Sequence, residues 1–167
     1  MNEVDVPSST SVAISWTRFH HDARRLAVQL CAAGAFSAIV AVTRGGLAPA
    51  AIVARELGVR VVDTLGVASY NAETLRGGLT LTKPLAEMVR LRPSSDILVI
   101  DDLADTGETV RAVRALLPNA HLATLYVKPQ GRPTVDSFVA EFPLDCWVYF
   151  PWDLDDDNNY RSPIRMV

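Results

Sequence analysis

The chain has 167 residues, 49% of them hydrophobic, with a mean hydropathy of +0.16: enough for one sizeable core and too little for two ordinary domains. Lys and Arg number 16 against 19 Asp and Glu, a net charge of -3 and a pI near 5.6, and no basic run forms the electrostatic footprint of a nucleic-acid coat. No stretch approaches the ~18 consecutive apolar residues of a membrane span, and Cys31 and Cys146 have neither metal spacing nor a disulfide framework, so both are expected as buried free thiols.

The amino-terminal MNEVDVPSSTS is acidic and lacks the basic and apolar regions of a signal peptide. Residues 1–11 are expected as a flexible extension, with folded structure starting near Val12. Thr17 or a neighbour caps a helix to about Ala33, where Phe19, Ala23, Leu26, Ala27 and Leu30 recur at helical spacing before Gly34 ends it. Ala38 to Val42 reads as a strand, Leu47 to Leu57 as a helix closed by Gly58, and Val59 to Val67 as a second strand. From Ser69 to Lys83 no period settles, and a long loop inside a compact domain is usually functional or disordered.

Ile97 to Ile100 is a continuous apolar run, as in a parallel strand buried on both faces, and places Asp101 and Asp102 at its carboxyl end. The turn Asp105-Thr106-Gly107-Glu108-Thr109 follows, then a helix from Val110 to Leu117 and a strand from Ala120 to Val127. Phe138 to Tyr149 is a last ordered segment, and the acidic run Asp153 to Asp157 opens a solvated tail. The alternation predicts an α/β fold, a mostly parallel twisted sheet flanked by helices, over residues 12–154, with 155–167 as an acidic and polar tail.

Open α/β sheets bind ligands beyond the carboxyl ends of their strands, so the two acids and the turn after them face a crevice. A helix starting at that turn offers unpaired backbone N–H groups and the positive end of its dipole to a phosphate. Thr106 and Thr109 add hydroxyls, and Gly107 allows close backbone approach. The GK[ST] ending of a Walker A loop is absent, so a single phosphate is the expected anion.

The strand followed by Asp-Asp-x-x-Asp-Thr-Gly-x-Thr resembles the 5-phosphoribosyl-1-pyrophosphate (PRPP) motif of the type I phosphoribosyltransferases. Val42-Thr43-Arg44-Gly45-Gly46-Leu47, Val127-Lys128-Pro129-Gln130-Gly131-Arg132-Pro133, Cys146-Trp147-Val148 and Pro151-Trp152-Asp153 extend the resemblance, from about Trp16 to Asp153, to the xanthine-guanine enzymes of the purine branch. The implied activity is transfer of a phosphoribosyl group from PRPP to N9 of a 6-oxopurine (xanthine, guanine or hypoxanthine) with Mg²⁺, releasing pyrophosphate in purine salvage. A hypoxanthine-guanine enzyme with weak xanthine use, and a regulatory PRPP- or RNA-binding protein of the same fold, are the alternatives, the latter disfavoured by the low pI. The resemblance also implies a cytoplasmic homo-oligomer, dimer or tetramer, with peripheral association at the inner membrane known among relatives.

Residue roles follow from the same resemblance. Asp101 and Asp102 approach the ribose hydroxyls and Mg²⁺, with Asp153 as a further metal-side acid; on their own the pair could equally solvate a turn. Asp105 adjusts the purine at N7 as general acid or base, or caps the helix. It also joins Thr106, Gly107, Glu108 and Thr109 around the 5′-phosphate. The Glu108 side chain must then face solvent, since a carboxylate repels phosphate. Arg44 and Gly45 bind pyrophosphate in a turn that can carry a cis peptide before the first Gly, or form an ordinary tight turn. Arg76, in a flexible hood that closes over the site, reaches pyrophosphate, with Lys83 a weaker candidate. Lys128 donates to the purine 6-oxo group, or is a solvated strand-end Lys. Trp147 stacks on the base or packs in the core, and the Val148 carbonyl accepts from the base edge. The segment 138–149 resembles a small carboxy-terminal region that covers the base.

Overall fold

Period-two alternation on the central strands fixes the layers. The computed structural model describes residues 11–69, 79–155 and 160. Strand β2 (Ala38–Thr43) and strand β5 (Ile97–Ala104) pair in parallel at the middle of a six-stranded sheet. Ile39, Ala41, Leu98 and Ile100 join one core cluster with residues of α1 (Trp16–Ala33) and α2 (Leu47–Leu57). Ala38, Val40, Val42, Ile97 and Val99 join a second, with Val89 of α3 (Glu87–Arg90) and Val110 and Val113 of α4 (Glu108–Leu116). Burying apolar side chains on both faces of one sheet requires a helical layer on each, which is the three-layer α/β solution.

The remaining strands are β1 (Ser11–Ala13), β3 (Val62–Ser69), β4 (Leu79–Lys83), β6 (His121–Val127), β7 (Ser137–Glu141) and β8 (Trp147–Tyr149). The large sheet runs β4-β3-β2-β5-β6-β7, parallel except for β4 against β3. β1 and β8 form a separate parallel pair, Ser11 opposite Trp147, Val12 opposite Val148 and Ala13 opposite Tyr149. Folded structure thus includes Ser11. Segment 138–149 divides between the two sheets: β7 is an edge of the main sheet, and only β8 belongs to the small one. Among the described residues no helix is long and apolar enough to cross a membrane.

The α1 periodicity is as expected: Phe19, Ala23, Leu26, Ala27 and Leu30 are buried, and Gly34 follows the last turn. Its cap is Ser15, whose side chain accepts from the Arg18 amide at 3.2 Å. The same buried face contains Asp22, whose carboxylate accepts from the Tyr126 hydroxyl of β6 at 2.9 Å and is flanked by Arg18 and Arg25. A carboxylate in a core requires such partners. Gly58 closes α2 in the left-handed conformation, its amide bonding the Ala54 and Arg55 carbonyls.

Two expectations are corrected. Cys31 is exposed, because it falls on the outer side of α1, while Cys146 is buried. Leu79–Lys83 is strand rather than patternless loop: Leu and Thr alternate in Leu-Thr-Leu-Thr-Lys, and an edge strand that is half polar resembles a loop in composition. Residues 70–78 of that segment lie outside the described residues.

The root of this hairpin is clamped by Lys83. Its ammonium donates to the Asp63 carboxylate at 2.8 Å and to the carbonyls of Thr64 and Pro84, while the other Asp63 oxygen accepts from the Ala86 amide at 2.6 Å. Burial would push the Asp63 carboxyl up, but the Lys83 hydrogen bond and the Ala86 and Thr64 amides outweigh it and hold it below 3.8. A carboxyl lowered by folding stabilises the native state above its unfolded pKa, and that contribution is lost as pH falls through the folded value. Asp63→Asn is expected to cost about 1–3 kcal/mol at pH 7. In urea titrations across pH, its deficit against the native chain should be constant above about pH 5 and shrink below pH 3.8.

Candidate active site

The chain leaves β2 outward to β3 on one side and leaves β5 outward to β6 and β7 on the other, so the order reverses between β2 and β5. Ligand crevices form at such a switch point, beyond the carboxyl ends of the strands. Three loops meet there: 44–46 after β2, 105–107 after β5, and 128–131 after β6.

Close packing pins the first and third of these to β5, and the second continues from it. A Cβ at Gly45 would strike the Asp102 carboxyl, one at Gly46 the Ile100 carbonyl, and one at Gly131 the carbonyls of Ala104 and Asp105. The Gly46 amide donates to Val42 at 2.8 Å, the Lys128 amide to Ala104 at 2.9 Å, and the Gly131 amide to Lys128 at 3.0 Å. The cis bond in the first loop joins Thr43 to Arg44, one residue earlier than the bond before the first Gly. The Arg44 side chain is exposed.

β5 continues past the apolar run to Ala104, so Asp101 and Asp102 lie within the strand rather than after it. Pairing with β2 stops at Ile100 while pairing with β6 goes on through Ala104, which opens the β2 side of the strand at the acids. Asp102 lies against Gly45. Asp101 borders a narrow void under α4, with Val42, Val99, Val110 and Val113 around it. Burial, reinforced by the neighbouring Asp102 charge, raises the Asp101 carboxyl well above the ordinary carboxylate range. Burial also pushes Asp102 up to about 6, against the opposing hydrogen bond from the Leu103 amide at 2.7 Å. Asp153 adds to that rise by its charge, and its own carboxylate accepts from the Phe150 amide at 3.0 Å. Among the described residues no three His, Cys, Asp or Glu side chains are grouped to enclose a metal ion.

The 105–109 turn has Gly107 as the N-terminal cap of α4, in the left-handed conformation at φ 79° that favours glycine. Asp105 does not cap the helix. Its carboxylate instead accepts from the Lys128 ammonium at 3.0 Å. Thr106 is exposed, its hydroxyl accepting from the Glu108 amide at 3.4 Å, and Thr109 is half-buried. Glu108 is exposed, as the repulsion argument requires. Lys128 is only 6% exposed, so it is no solvated strand-end Lys; burying an ammonium requires the carboxylate that pairs with it.

Trp147 is 60% exposed, which removes the core-packing alternative and leaves an indole face open. Val148 beside it is buried in the β1–β8 pair. Lys83 is committed to the hairpin root, and Arg76 lies outside the described residues. Sequence alone assigns no role to Gly131, although it stands in the motif from Val127 to Pro133, or to Arg111, since an exposed Arg on a helix is commonplace.

A family model described as the phosphoribosyl transferase domain matches residues 15–159. The chain belongs to this family. Solved structures agree on the fold: a purine phosphoribosyltransferase from Pyrococcus horikoshii superposes with a TM-score of 0.75 at 23% identity, over 94% of this chain and 99% of that one. A xanthine-guanine-hypoxanthine phosphoribosyltransferase from Helicobacter pylori gives 0.71 at 23% identity over 89% and 97%. A hypoxanthine-guanine phosphoribosyltransferase from Bacillus anthracis gives 0.63 at 23% identity over 78% and 82%.

The phosphoribosyltransferase fold here depends on the Gly131 contact, because a backbone carbonyl cannot swing aside as a side chain end can. Gly131→Ala should destabilise by about 1–3 kcal/mol, the usual cost of overpacking. Denaturant melts of the variant against the native chain measure the difference.

Proposed function

We propose that the chain transfers the 5-phosphoribosyl group of PRPP to N9 of a 6-oxopurine, giving XMP, GMP or IMP and pyrophosphate, as a purine salvage enzyme. The observation that carries this reading is Lys128: a buried cation at the mouth of the crevice, 3.0 Å from Asp105, with the exposed Trp147 on the carboxy-terminal side of the same chain region. A buried ammonium is a hydrogen-bond donor only. It suits a 6-oxo group and opposes adenine, which presents a donor at that position.

In the reaction the C1′–oxygen bond to pyrophosphate breaks with its electron pair leaving on oxygen, and N9 supplies the pair for the new bond. Little covalent work falls to the protein, so positioning and charge dominate. The turn from Asp105 to Thr109, backed by the α4 N-terminus, holds the 5′-phosphate through amides and hydroxyls. Arg44 and the backbone at Gly45 take the pyrophosphate, with Arg76 as an additional cation. Asp105 stands at N7 and takes the proton the base must lose. Trp147 offers its face to the purine, and the Val148 carbonyl accepts from the base edge.

The donor set suits Mg²⁺ shared with ligand oxygens, since that ion uses one or two carboxylates and keeps waters, and two adjacent carboxylates are what β5 offers. Asp102, lying against Gly45, is the better placed, with Asp101 behind it under α4 and Asp153 adding negative charge. When bound, Mg²⁺ would draw charge from the departing pyrophosphate.

The test is steady-state nucleotide formation from PRPP and Mg²⁺ with xanthine, guanine, hypoxanthine and adenine in parallel. The three 6-oxopurines should turn over and adenine should not, and Asp105→Asn should lower kcat by about 10²- to 10⁴-fold. The ratio of xanthine to hypoxanthine turnover separates a xanthine-guanine enzyme from a hypoxanthine-guanine one. Mg²⁺-dependent PRPP binding without turnover of any base would overturn the catalytic reading in favour of a regulatory one.

A further inference from the structure

Arg111 is one turn into α4, and its backbone amide donates to the Gly107 carbonyl at 2.9 Å. Its guanidinium folds back over the start of the helix: Nη2 donates to the Thr106 carbonyl at 3.0 Å, and Nη1 would lie 3.1 Å from a Cβ at Gly107. Thr134 closes over Gly107 from the 128–134 segment, and its hydroxyl donates to the Gly131 carbonyl at 2.6 Å. Arg111 makes no ion pair within 4.0 Å of a carboxylate among the described residues, so its positive charge is spent on a single backbone carbonyl.

We infer that Arg111 is the positioning residue of the phosphate turn: it fixes the orientation of the Thr106–Gly107 peptide before any ligand arrives. In a trans peptide the C=O and N–H point in opposite directions, so pinning the Thr106 carbonyl to one side also sets the direction of the Gly107 N–H. A glycine at positive φ accepts either orientation of the peptide before it with little steric cost, so this peptide needs an external restraint where most do not. Arg111 supplies the restraint from above and Thr134 limits movement from the side. A turn fixed in advance saves the ordering cost at binding, which appears as tighter phosphate binding rather than faster chemistry. The Arg charge also offsets Glu108, three residues earlier on the same helix, so that the turn does not repel a dianion.

This inference rests on the proposed phosphate-binding role of the turn, and the experiment separates the two. Arg111→Lys keeps a donor and a charge; Arg111→Met keeps length and removes both. Expected for Arg111→Met is about a tenfold rise in KM for PRPP, the size of one lost hydrogen bond to a charged group. Its kcat should stay within about twofold, its KM for the purine should not change, and the Gly107 amide resonance of the ligand-free protein should broaden or split. Arg111→Lys should restore a KM for PRPP within about threefold of native and a single sharp Gly107 resonance. A native KM for PRPP and an unchanged Gly107 resonance in Arg111→Met would overturn the inference. So would an equal rise in both substrate KM values, which marks general damage. A native chain that forms no nucleotide would instead remove the catalytic reading, and the Gly107 resonance would then still report whether Arg111 orders the turn.

Discussion

Everything in the crevice is referred to one piece of backbone, the stretch of β5 from Ile100 to Ala104. Its Ile100 carbonyl abuts Gly46, its Asp102 carboxyl abuts Gly45, and its Ala104 carbonyl abuts Gly131 and accepts from the Lys128 amide. The loops that follow β2 and β6 are thereby packed against a single rigid neighbour, whose own continuation is the third loop. A site held within a few tenths of an ångström is more precise on such an element than on loops packed only against one another. Gly46 and Gly131 are required because their approaches to backbone leave no volume for a Cβ, so these loops could not be rebuilt from ordinary residues at the same spacing.

That arrangement concentrates negative charge. Burial raises the Asp101 and Asp102 carboxyls, with the Asp102 charge adding to the rise of Asp101 and the Asp153 charge to that of Asp102. A fold does not accumulate such unfavourable carboxylates for stability, and perturbed acids gather where chemistry or binding uses them. The cations around them differ in how they are held. Lys128 is buried and paired, Arg44 is exposed, and Arg111 is bound to backbone. Only Lys128 is fixed rigidly enough to read a hydrogen-bonding pattern; an exposed side chain such as Arg44 provides charge without comparable directional discrimination.

Much of this was legible because it depends on patterns that short windows contain. The apolar period of α1, the Gly58 stop of α2, the buried run Ile97 to Ile100 and the Asp-Thr-Gly turn are each decided by residues close in sequence, and the structure agrees with them. What escaped depends on tertiary neighbours. β4 looked like loop because an edge strand can be half Thr and Lys, and its strand character comes from pairing with β3. Cys31 was expected inside because cysteine usually is, yet the helical face it occupies is set by Phe19 and Leu26. Asp22 falls on the apolar face of α1 by spacing, but nothing near it in sequence shows what pairs with it there, since Tyr126 is 104 residues away. The helix cap was open to Asp105 as an alternative to its role at the base, but Gly107 takes the cap and the Asp105 carboxylate accepts from Lys128.

The Asp105–Lys128 pair has a consequence for the order of events under the proposed function. In the free protein each group satisfies the other, so the buried ammonium is not left unpaired, a state that would cost several kcal/mol. A purine entering the site offers its 6-oxo oxygen to Lys128 and an N7–H to the half-exposed Asp105 carboxylate, and the buried ammonium exchanges one partner for another without being left unpaired. The exchange is close to balanced only for a base that carries an acceptor at position 6 and a proton-bearing nitrogen beside it. Adenine supplies a donor opposite the ammonium and would strand it. Discrimination of this kind comes from the penalty on the wrong partner rather than from extra attraction to the right one. Selectivity for the 6-oxo group therefore requires Lys128 to be buried as well as charged, which is why its 6% exposure matters more to the functional reading than its charge alone.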